Sequence, residues 1–455
     1  MSYKLRFTTC ISLQNLQTVF YASKIGYVIL LLSVGQTSHA QTFTDYFETS
    51  RLRVNLMLAG NAERQCAYLE SLNEEPVWGG SQTHLIDRFH YGDYFVKVFS
   101  GDGQLIYSRG FCSLFSEWRT TREAQTLARA SALSLTLPMP KTDVRIEVLE
   151  RDKQTGDWQP LFETRINPLD KQIRRGVAPY RHAVRAVRRS GEPAVKVDLA
   201  VIAEGYRQDE IEKFHRDVVR LTDYLFTVEP FASHRDDFNI WAVEAVSAES
   251  GTDMPHRNSW KNTAANTTFF TFGIDRYLTA PDHTRLCELA WDAPYDILYV
   301  LVNTDQYGGG GIYNFYSLCT SDHPQSQNVF VHELGHTFAG LGDEYYTSEV
   351  TYEHFYNLRI EPWEPNLTTL VDFDGKWNDL VHATTPVPTP AITKYADRIG
   401  VFEGGGYTAK GLFRPAVDCR MKSNATPVFC PVCRRAIEQV IKSYTGTSSP
   451  SSARE

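Results

Sequence analysis

From residue 41 onward, apolar and polar positions alternate over several short runs of the chain. Residues 95–99 and 104–107 alternate around the turn sequence Gly-Asp-Gly at 101–103, which is typical of a β-hairpin. Residues 144–148 repeat the alternation, with valine and isoleucine between charged side chains. Because these runs follow one another without a helical period, they predict an antiparallel β-sandwich over residues 41–166.

Beyond this segment the pattern changes to strands that alternate with helices. Alternation at residues 197–201 predicts a strand, and apolar residues at helical spacing between 211 and 225 predict a helix. Residues 238–243 predict a second strand, and the almost wholly apolar residues 297–302 are typical of a strand covered on both faces. The pattern therefore predicts an α/β domain over residues 195–445, and an α+β multidomain protein overall.

The segment between the two predicted domains is rich in basic side chains. Residues 167–194 contain seven lysines and arginines and end in Ser-Gly-Glu-Pro. A solvated linker is the favoured interpretation, and an anionic docking strip or a protease-sensitive hinge is the alternative. Residues 446–455 are expected to form a disordered tail.

Composition and charge narrow the class of protein. The chain has 455 residues with 42% hydrophobic and 22% charged residues, as in ordinary folded proteins of two or three domains. The net charge is -8 and the isoelectric point is near 5.9. This balance argues against non-specific binding to nucleic acid, which requires a cationic surface.

The first forty residues resemble a secretory signal. Residues 25–34 are an apolar run, too short for a membrane anchor, which takes about 20 residues. Ser38 and Ala40 occupy the two positions that signal peptidase recognises, so cleavage is predicted after Ala40. We expect a secreted, periplasmic or cell-surface protein without a stable membrane span after cleavage. A membrane anchor is the alternative.

The number of cysteines matters if the protein is exported, because exported proteins can form disulfides. Seven follow the predicted signal, at positions 66, 112, 287, 319, 419, 430 and 433. Export permits disulfides, and the odd number leaves at least one thiol unpaired. Cys430 and Cys433 form a lone C-P-V-C, for which a disulfide or packed thiols are favoured. A zinc or redox role is the alternative. It is less favoured, because a structural zinc site needs two further ligands and the sequence has no second CxxC.

The strongest chemical signal is the sequence His-Glu-Leu-Gly-His at residues 332–336. On a helix, His332 and His336 lie one turn apart on the same face, where their imidazoles can bind one metal ion. Glu333 lies beside the first histidine and can reach water without binding the metal. This arrangement is typical of zinc-dependent peptide-bond hydrolysis.

The residues that follow predict a helix end and a third ligand. Gly340 can end the helix, because glycine adopts the left-handed conformation without a Cβ penalty. The chain can then turn back towards the metal, and Asp343 lies just beyond the turn, with Glu344 as the rival ligand. A ligand from a following helix is a further alternative, with Glu349, Glu353 and Glu361 as candidates.

The run from His332 to Tyr345 resembles the active-site signature of the IgA-peptidase family of secreted bacterial metallopeptidases, which is similar to the metzincin clan. Metzincins have a glycine three residues after the second histidine and a ligand three residues after that glycine. Here Gly340 lies four residues after His336, while Asp343 keeps the second spacing. The resemblance implies one catalytic Zn²⁺ bound by the two histidines and Asp343.

Further segments share this resemblance. Gly309, Gly310 and Gly311 are similar to the edge strand beside the cleft, which would bind an extended peptide by β-addition. Met421 resembles the methionine of a Met-turn beneath the metal. The strand order, a final helix and the N-terminal strands are also similar to the family, so the resemblance implies a metzincin-like zinc-peptidase domain preceded by an accessory β-sandwich.

The implied activity is that of a zinc endopeptidase acting on a protein or peptide substrate, with Glu333 as general base. Tyr345 or Tyr346 is a candidate donor to the developing oxyanion. Two alternatives belong to other classes: a zinc hydrolase acting on cell-wall amides, and a non-catalytic surface binding protein.

Overall fold

The structure is a computed structural model, which describes residues 42–346 and 355–446. These residues belong to one compact unit, which runs from Gln41 to Glu455. The signal predicted at residues 1–40 and all but the first residue of the predicted tail lie outside the described ranges. Across the described part of the chain, no helix has the length and apolar character needed to cross a membrane.

The described chain is rich in strands up to residue 188 and combines strands with longer helices beyond it, as the hydrophobic pattern predicts. The α-helices are α1 (Phe43–Tyr46), α2 (Leu114–Trp118), α3 (Ile211–Leu225), α4 (His283–Leu289), α5 (Ser326–Ala339) and α6 (Pro431–Thr445). The strands of the N-terminal half are β1 (Phe47–Gly60), β2 (Gln65–Glu75), β3 (Tyr94–Ser100), β4 (Leu105–Phe111), β5 (Arg129–Pro140), β6 (Val144–Arg151), β7 (Trp158–Ile166) and β8 (Ile173–Arg175). The remaining strands are β9 (Val184–Arg188), β10 (Val197–Glu204), β11 (Phe238–Val243), β12 (Ile297–Val302), β13 (Gly309–Ile312), β14 (Tyr316–Thr320), β15 (Phe402–Gly405) and β16 (Thr408–Arg414).

The N-terminal half is a β domain made of two four-stranded sheets. Their strand orders are β5-β1-β2-β8 and β4-β3-β6-β7, and buried side chains of both sheets belong to one apolar core. The predicted hairpin is confirmed, since β3 and β4 pair in antiparallel register around the turn at 101–103. All pairs are antiparallel except β2 with β8, which is parallel.

The connection predicted as a linker has structure of its own. Residues 173–175 form β8, which extends the first sheet, and residues 184–188 form β9, which pairs with β11 in the second half of the chain. Some of its arginines pair with acids on neighbouring elements, such as Arg175 with Glu74. The hydrophobic pattern missed these strands because they are short and largely exposed.

The second half contains a six-stranded sheet in the order β13-β14-β12-β10-β11-β9. The four central strands are parallel, and the two edge strands run antiparallel to their neighbours. Every residue of β10 and β12 is buried, as the apolar run at 297–302 predicts for β12. Such strands need cover on both faces.

The two faces of this sheet have different cover. Leu199 and Val201 pack among side chains of α3, α5 and α6, whereas Ala200 and Ile202 belong to the core of the N-terminal β domain. This difference follows from the two-residue side-chain period of a strand. Helices therefore cover one face, and the opposite face continues into the core of the β domain.

Candidate metal centre and active-site cleft

Helix α5 presents the three residues of the His-Glu motif. Its apolar residues Val331, Leu334 and Phe338 are buried in the core, which fixes the rotation of the helix about its axis. His332 and His336 consequently lie one turn apart on the less buried side. Their Nε2 atoms are 3.0 Å apart.

A sharp turn after α5 brings an aspartate back to the histidines. Gly340 ends the helix at a φ of 63°, and its N–H donates to the carbonyl of His336 at 3.0 Å. Asp343 then lies with Oδ1 at 3.2 Å from His332 Nε2 and at 3.3 Å from His336 Nε2. Of the two candidate ligands after the turn, the structure places Asp343 with the histidines, whereas Glu344 faces a group of cysteines.

Hydrogen bonds on the far side of each group fix its orientation. His332 Nδ1 lies 3.0 Å from the carbonyl oxygen of Arg420, and His336 Nδ1 lies 2.5 Å from that of Leu341. A carbonyl can only accept, so both Nδ1 atoms carry the proton and both Nε2 lone pairs face the centre. The Tyr407 hydroxyl donates to Asp343 Oδ2 at 2.6 Å, which leaves Oδ1 towards the histidines.

These donor atoms suit a divalent metal. Asp343 Oδ1 is buried and has no hydrogen-bond partner among the described residues. Two imidazole nitrogens and one carboxylate oxygen that converge with an open side form the donor set of a catalytic zinc site. Without a cation, their lone pairs would face one another in a buried space. The residues present therefore fit a metal ion.

The histidines and the aspartate of the centre shift one another's pKa values. Burial alone would lower the pKa of His336, but the negative charge of the adjacent Asp343 carboxylate raises that pKa to about 9. Burial would raise the pKa of Asp343, but the two imidazoles hold it well below its usual range. A cation at the centre would take the place of the proton that this carboxylate attracts.

Glu333 lies at the border between the centre and the glycine-rich strand β13. A Cβ added to Gly309 would lie 2.7 Å from Glu333 Oε1, so the carboxylate lies against this strand. Burial raises the pKa of Glu333, and the two imidazoles partly oppose the shift. The carboxylate is thus close to the histidines but is not one of the three converging groups.

The three predicted substrate-binding glycines form the edge strand. Gly309, Gly310 and Gly311 belong to β13, whose inner edge pairs with β14. A Cβ at Gly311 would lie 2.4 Å from the carbonyl oxygen of Glu333, so glycine allows this close approach to α5. On the outer side, Gly309 forms a single parallel bridge with Tyr277.

Met421 lies beneath the helix that carries the histidines. It is fully buried, and its Sδ is 3.0 Å from the position that a Cβ would take at Gly335. Its carbonyl accepts a hydrogen bond from the N–H of Glu344 at 2.8 Å. The loop that contains Met421 therefore contacts both the helix and the segment of the third candidate ligand.

A cavity of about 770 Å³ opens in front of the centre. Its lining includes His332, Glu333 and His336, and side chains from both halves of the chain. Glu117 and Arg151 come from the N-terminal β domain. Across the cleft, the Tyr277 hydroxyl donates to Glu117 Oε2 at 2.6 Å, so the β domain forms part of the wall.

The remaining candidates differ in position. Tyr345 lines the cavity and hydrogen-bonds Asp343, while the exposed ring of Tyr346 lies outside the lining. Glu361 accepts hydrogen bonds from Thr369 and from the backbone of Asp372, and it is not among the converging groups. The two other acidic alternatives, at 349 and 353, lie outside the described residues.

Two supporting residues were not predicted from the sequence. Tyr407 holds Asp343, and Asn366 clamps the turn by accepting from the N–H of Gly342 at 2.7 Å and donating to its carbonyl at 2.9 Å. Both lie more than twenty residues beyond the turn, with no spacing rule that connects them to it. Tyr407 lies in the turn between β15 and β16, and the position of this hairpin brings its hydroxyl to Asp343.

Comparison with known protein families gives two matches. The family model described as IgA Peptidase M64 matches residues 186–397 and 391–441, and the one described as Peptidase M64 N-terminus matches residues 42–160. A search of curated proteins gives no match. The first family match spans more than half of the chain and contains every residue of the metal centre, and both matches confirm the resemblance inferred from the sequence. The chain therefore belongs to the IgA peptidase M64 family.

Proposed function

We propose that the chain is an exported zinc-dependent endopeptidase that hydrolyses peptide bonds of a protein substrate. Membership of a peptidase family supports the reaction class. The observation that carries the proposal is the convergence of two imidazole nitrogens and one carboxylate oxygen in an open cleft. Glu333, which can accept and donate a proton, lines the same cleft.

His332, His336 and Asp343 are the residues that would hold the metal. Zinc suits them because it prefers imidazole and carboxylate ligands, and three protein ligands leave one position open for chemistry. Zinc bound there would supply Lewis acidity to a substrate carbonyl and to water. The carbonyls of Arg420 and Leu341 keep both imidazoles in the binding tautomer.

Glu333 is proposed as the general base and then the general acid. Its carboxylate accepts a proton from the attacking water and later delivers that proton to the leaving amide nitrogen. Burial raises its pKa, which strengthens it as a base. Tyr345 is the proposed donor to the developing oxyanion, because it lines the cavity next to Asp343.

A metzincin-like architecture is part of the proposal. Three features support it: an edge strand antiparallel to the sheet next to the cleft, a glycine-terminated helix followed by an acidic ligand, and a buried methionine under that helix. The last feature rests on Met421, whose backbone is hydrogen-bonded to the ligand segment.

An extended peptide is the proposed bound form of the substrate. Strand β13 lines the cavity, and it contains only glycine in its first three positions. A peptide laid along this strand would make main-chain hydrogen bonds and pass in front of His332 and His336. The bridge between Gly309 and Tyr277 marks one end of the strand available to such a peptide.

Export is proposed from the sequence of residues 1–40. The apolar run at residues 25–34 and the small residues Ser38 and Ala40 are the features that support cleavage after Ala40. N-terminal sequencing of the protein from the culture medium or periplasm is expected to begin at Gln41. An intact N-terminus on the exported protein would contradict this cleavage site.

Replacement of Glu333 by glutamine tests the mechanism. The variant should keep its metal, because Glu333 is not one of the three converging groups, and should lose about 10²–10⁴-fold in the rate of casein hydrolysis. The measurement is kcat/KM together with the metal content of the purified full chain. Glu403→Gln, at an exposed position on β15, is the matched control and should retain the parent rate.

Parent activity in Glu333→Gln would refute the assignment of the base. Hydrolysis of cell-wall fragments without hydrolysis of proteins would instead favour the amide-hydrolase alternative. A parent protein that binds zinc but cleaves neither class of substrate would favour the non-catalytic binding protein.

A further inference from the structure

A second group of metal-binding side chains lies behind the active site. It comprises Glu344, Cys419, Cys430 and Cys433, whose ligand atoms all lie within 4.8 Å of one another. The sulfur atoms of Cys419 and Cys433 are 3.8 Å apart, and Cys433 Sγ lies 3.2 Å from Glu344 Oε1. We call these four residues the thiol cluster.

The chain brings the thiol cluster together from three separate elements. Cys430 is the residue directly before α6, and Cys433 lies in the first turn of that helix. Cys419 lies in the loop before Met421, and its sulfur accepts from the N–H of Cys430 at 3.2 Å. Because Glu344 and Cys419 are distant in sequence from the C-P-V-C pair, spacing alone did not indicate the additional ligands.

Burial and charge make the cluster unusual for packed thiols. Glu344, Cys419 and Cys433 are completely buried, and Cys430 is 6% exposed. Glu344 Oε2 has no hydrogen-bond partner in the part of the chain that the structure describes, and Oε1 accepts from Asn366 at 3.0 Å. A buried polar oxygen in this position requires a partner, and an ionised carboxylate requires a cation.

No basic side chain forms an ion pair with Glu344 within 4.0 Å among the described residues. Arg414 is near enough to act on Glu344 electrostatically, but it directs its Nη1 at the carbonyls of Glu403 and Gly404 instead. A disulfide would not solve the problem either. It would use two of the three thiols, leave the third unpaired and leave Glu344 without a counter-charge.

We propose that the thiol cluster binds a second Zn²⁺, with a structural role. Three thiolates and one carboxylate provide the four ligands of a closed tetrahedral site, and thiolates select zinc over harder cations. The thiol protons would be released to solvent on binding. This inference does not depend on the proposed peptidase activity, because the two candidate sites share no ligand.

The second ion would support the first site through the backbone. Glu344 directly follows Asp343, and its N–H donates to the carbonyl of Met421 at 2.8 Å. Cys419 directly precedes Arg420, whose carbonyl accepts from His332. An ion at the thiol cluster would therefore tie together the two loops that orient a histidine and the aspartate of the active site.

Metal analysis of full-length variants tests the proposal. We expect two zinc ions per chain in the parent protein, one in the His332→Ala/His336→Ala double variant, and one in Cys433→Ser. The control is Cys66→Ser, on β2 and outside both clusters, which should keep two. A parent chain that holds one zinc ion, and a double variant that holds none, would overturn the proposal.

Cobalt spectroscopy keeps the test valid even where Cys433→Ser fails to fold. The His332→Ala/His336→Ala variant leaves the thiol cluster intact, so Co²⁺ added to this variant should show thiolate-to-cobalt charge-transfer absorption. The histidine–aspartate site contains no sulfur and cannot produce that band. Absence of the band overturns the proposal, as does a disulfide between any two of the three cluster cysteines in a non-reducing peptide map of the purified chain.

Discussion

At the scale of single residues, hydrogen bonds orient each of the three candidate ligands of the metal centre. Both histidines face the centre because backbone carbonyls accept from their Nδ1 atoms, and Asp343 does so because Tyr407 holds its other oxygen. Outer contacts of this kind typically change metal affinity or activity by about 10–100-fold. The carboxylate is the ligand whose outer contact comes from a side chain and can be tested by substitution.

Tyr407→Phe removes the hydroxyl that donates to Asp343 Oδ2 and leaves the ring in place. We expect zinc affinity and kcat/KM to fall by about 10–100-fold, because the carboxylate loses the contact that turns Oδ1 towards the histidines. Chelator competition and casein hydrolysis measure the two quantities. Tyr46→Phe removes a hydroxyl bound to Gln104 far from the cleft and should change neither. Unchanged zinc affinity in Tyr407→Phe would show that Asp343 does not need this contact.

The sequence predicted best those residues of the candidate site that lie close to one another along the chain. His332 and His336 are one helical turn apart, and Asp343 follows the glycine that ends the helix. The proximity of these three side chains could therefore be predicted from the sequence. Tyr407 and Asn366 could not be anticipated, because their contacts depend on long-range folding. Glu344 and Cys419 could not be anticipated as partners of the C-P-V-C pair for the same reason, because neither belongs to a second CxxC.

At the scale of elements, the parallel sheet has a charged group at the start of its central strand. Asp198 on β10 is completely buried, and its Oδ1 accepts from Asn239 at 2.9 Å and from Trp241 at 2.6 Å. Its Oδ2 has no hydrogen-bond partner within the described ranges. Burial raises the pKa of Asp198 from its ordinary value of about 4 to about 6.

Replacement of Asp198 by asparagine should therefore stabilise the protein at neutral pH. The parent acid is protonated more readily when folded, so its stability falls as pH rises from about 4 to about 6, whereas the amide does not titrate. The gain is expected to be absent near pH 4 and to reach at most about 3 kcal/mol above pH 6, from about 1.4 kcal/mol per pKa unit. Thermal unfolding at both pH values measures it.

Asp143→Asn provides the control for this effect. Asp143 is exposed in the turn before β6, so its substitution should leave the pH dependence of unfolding unchanged. Equal stability of Asp198→Asn and the parent at pH 7 would contradict the role of burial. A loss at both pH values would show instead that the amide cannot keep the hydrogen bonds to Asn239 and Trp241.

At the scale of the whole molecule, the two family matches correspond to halves that share one apolar core. Ala200 and Ile202 of the second half pack with side chains of the N-terminal β domain, and Tyr277 reaches Glu117 across the cleft. The hydrophobic pattern predicted two domains joined by a linker. It could not predict this shared core, because alternation along a strand shows which residues are buried but not what covers them.

Deletion of the N-terminal β domain tests the importance of this shared core. A fragment of residues 186–446 would expose one apolar face of the six-stranded sheet, so we expect aggregation or loss of cooperative unfolding. A fragment of residues 41–455 should fold and unfold cooperatively, since it keeps both sides of the core. Circular dichroism melting and size-exclusion chromatography distinguish the outcomes. A monomeric, cooperatively folded 186–446 fragment would show that the halves are independent.

The glycines of β13 have a consequence for selectivity. In the proposed binding mode, the three glycines of β13 offer an incoming polypeptide only their main chain, which every amino-acid sequence shares. If the proposed binding mode holds, discrimination between substrates comes from the other walls of the cleft, where Glu117 and Arg151 of the N-terminal β domain contribute charge. Divergence in substrate preference among proteins of this architecture should accordingly accumulate in the loops of that domain, while the helix bearing the histidines stays constant.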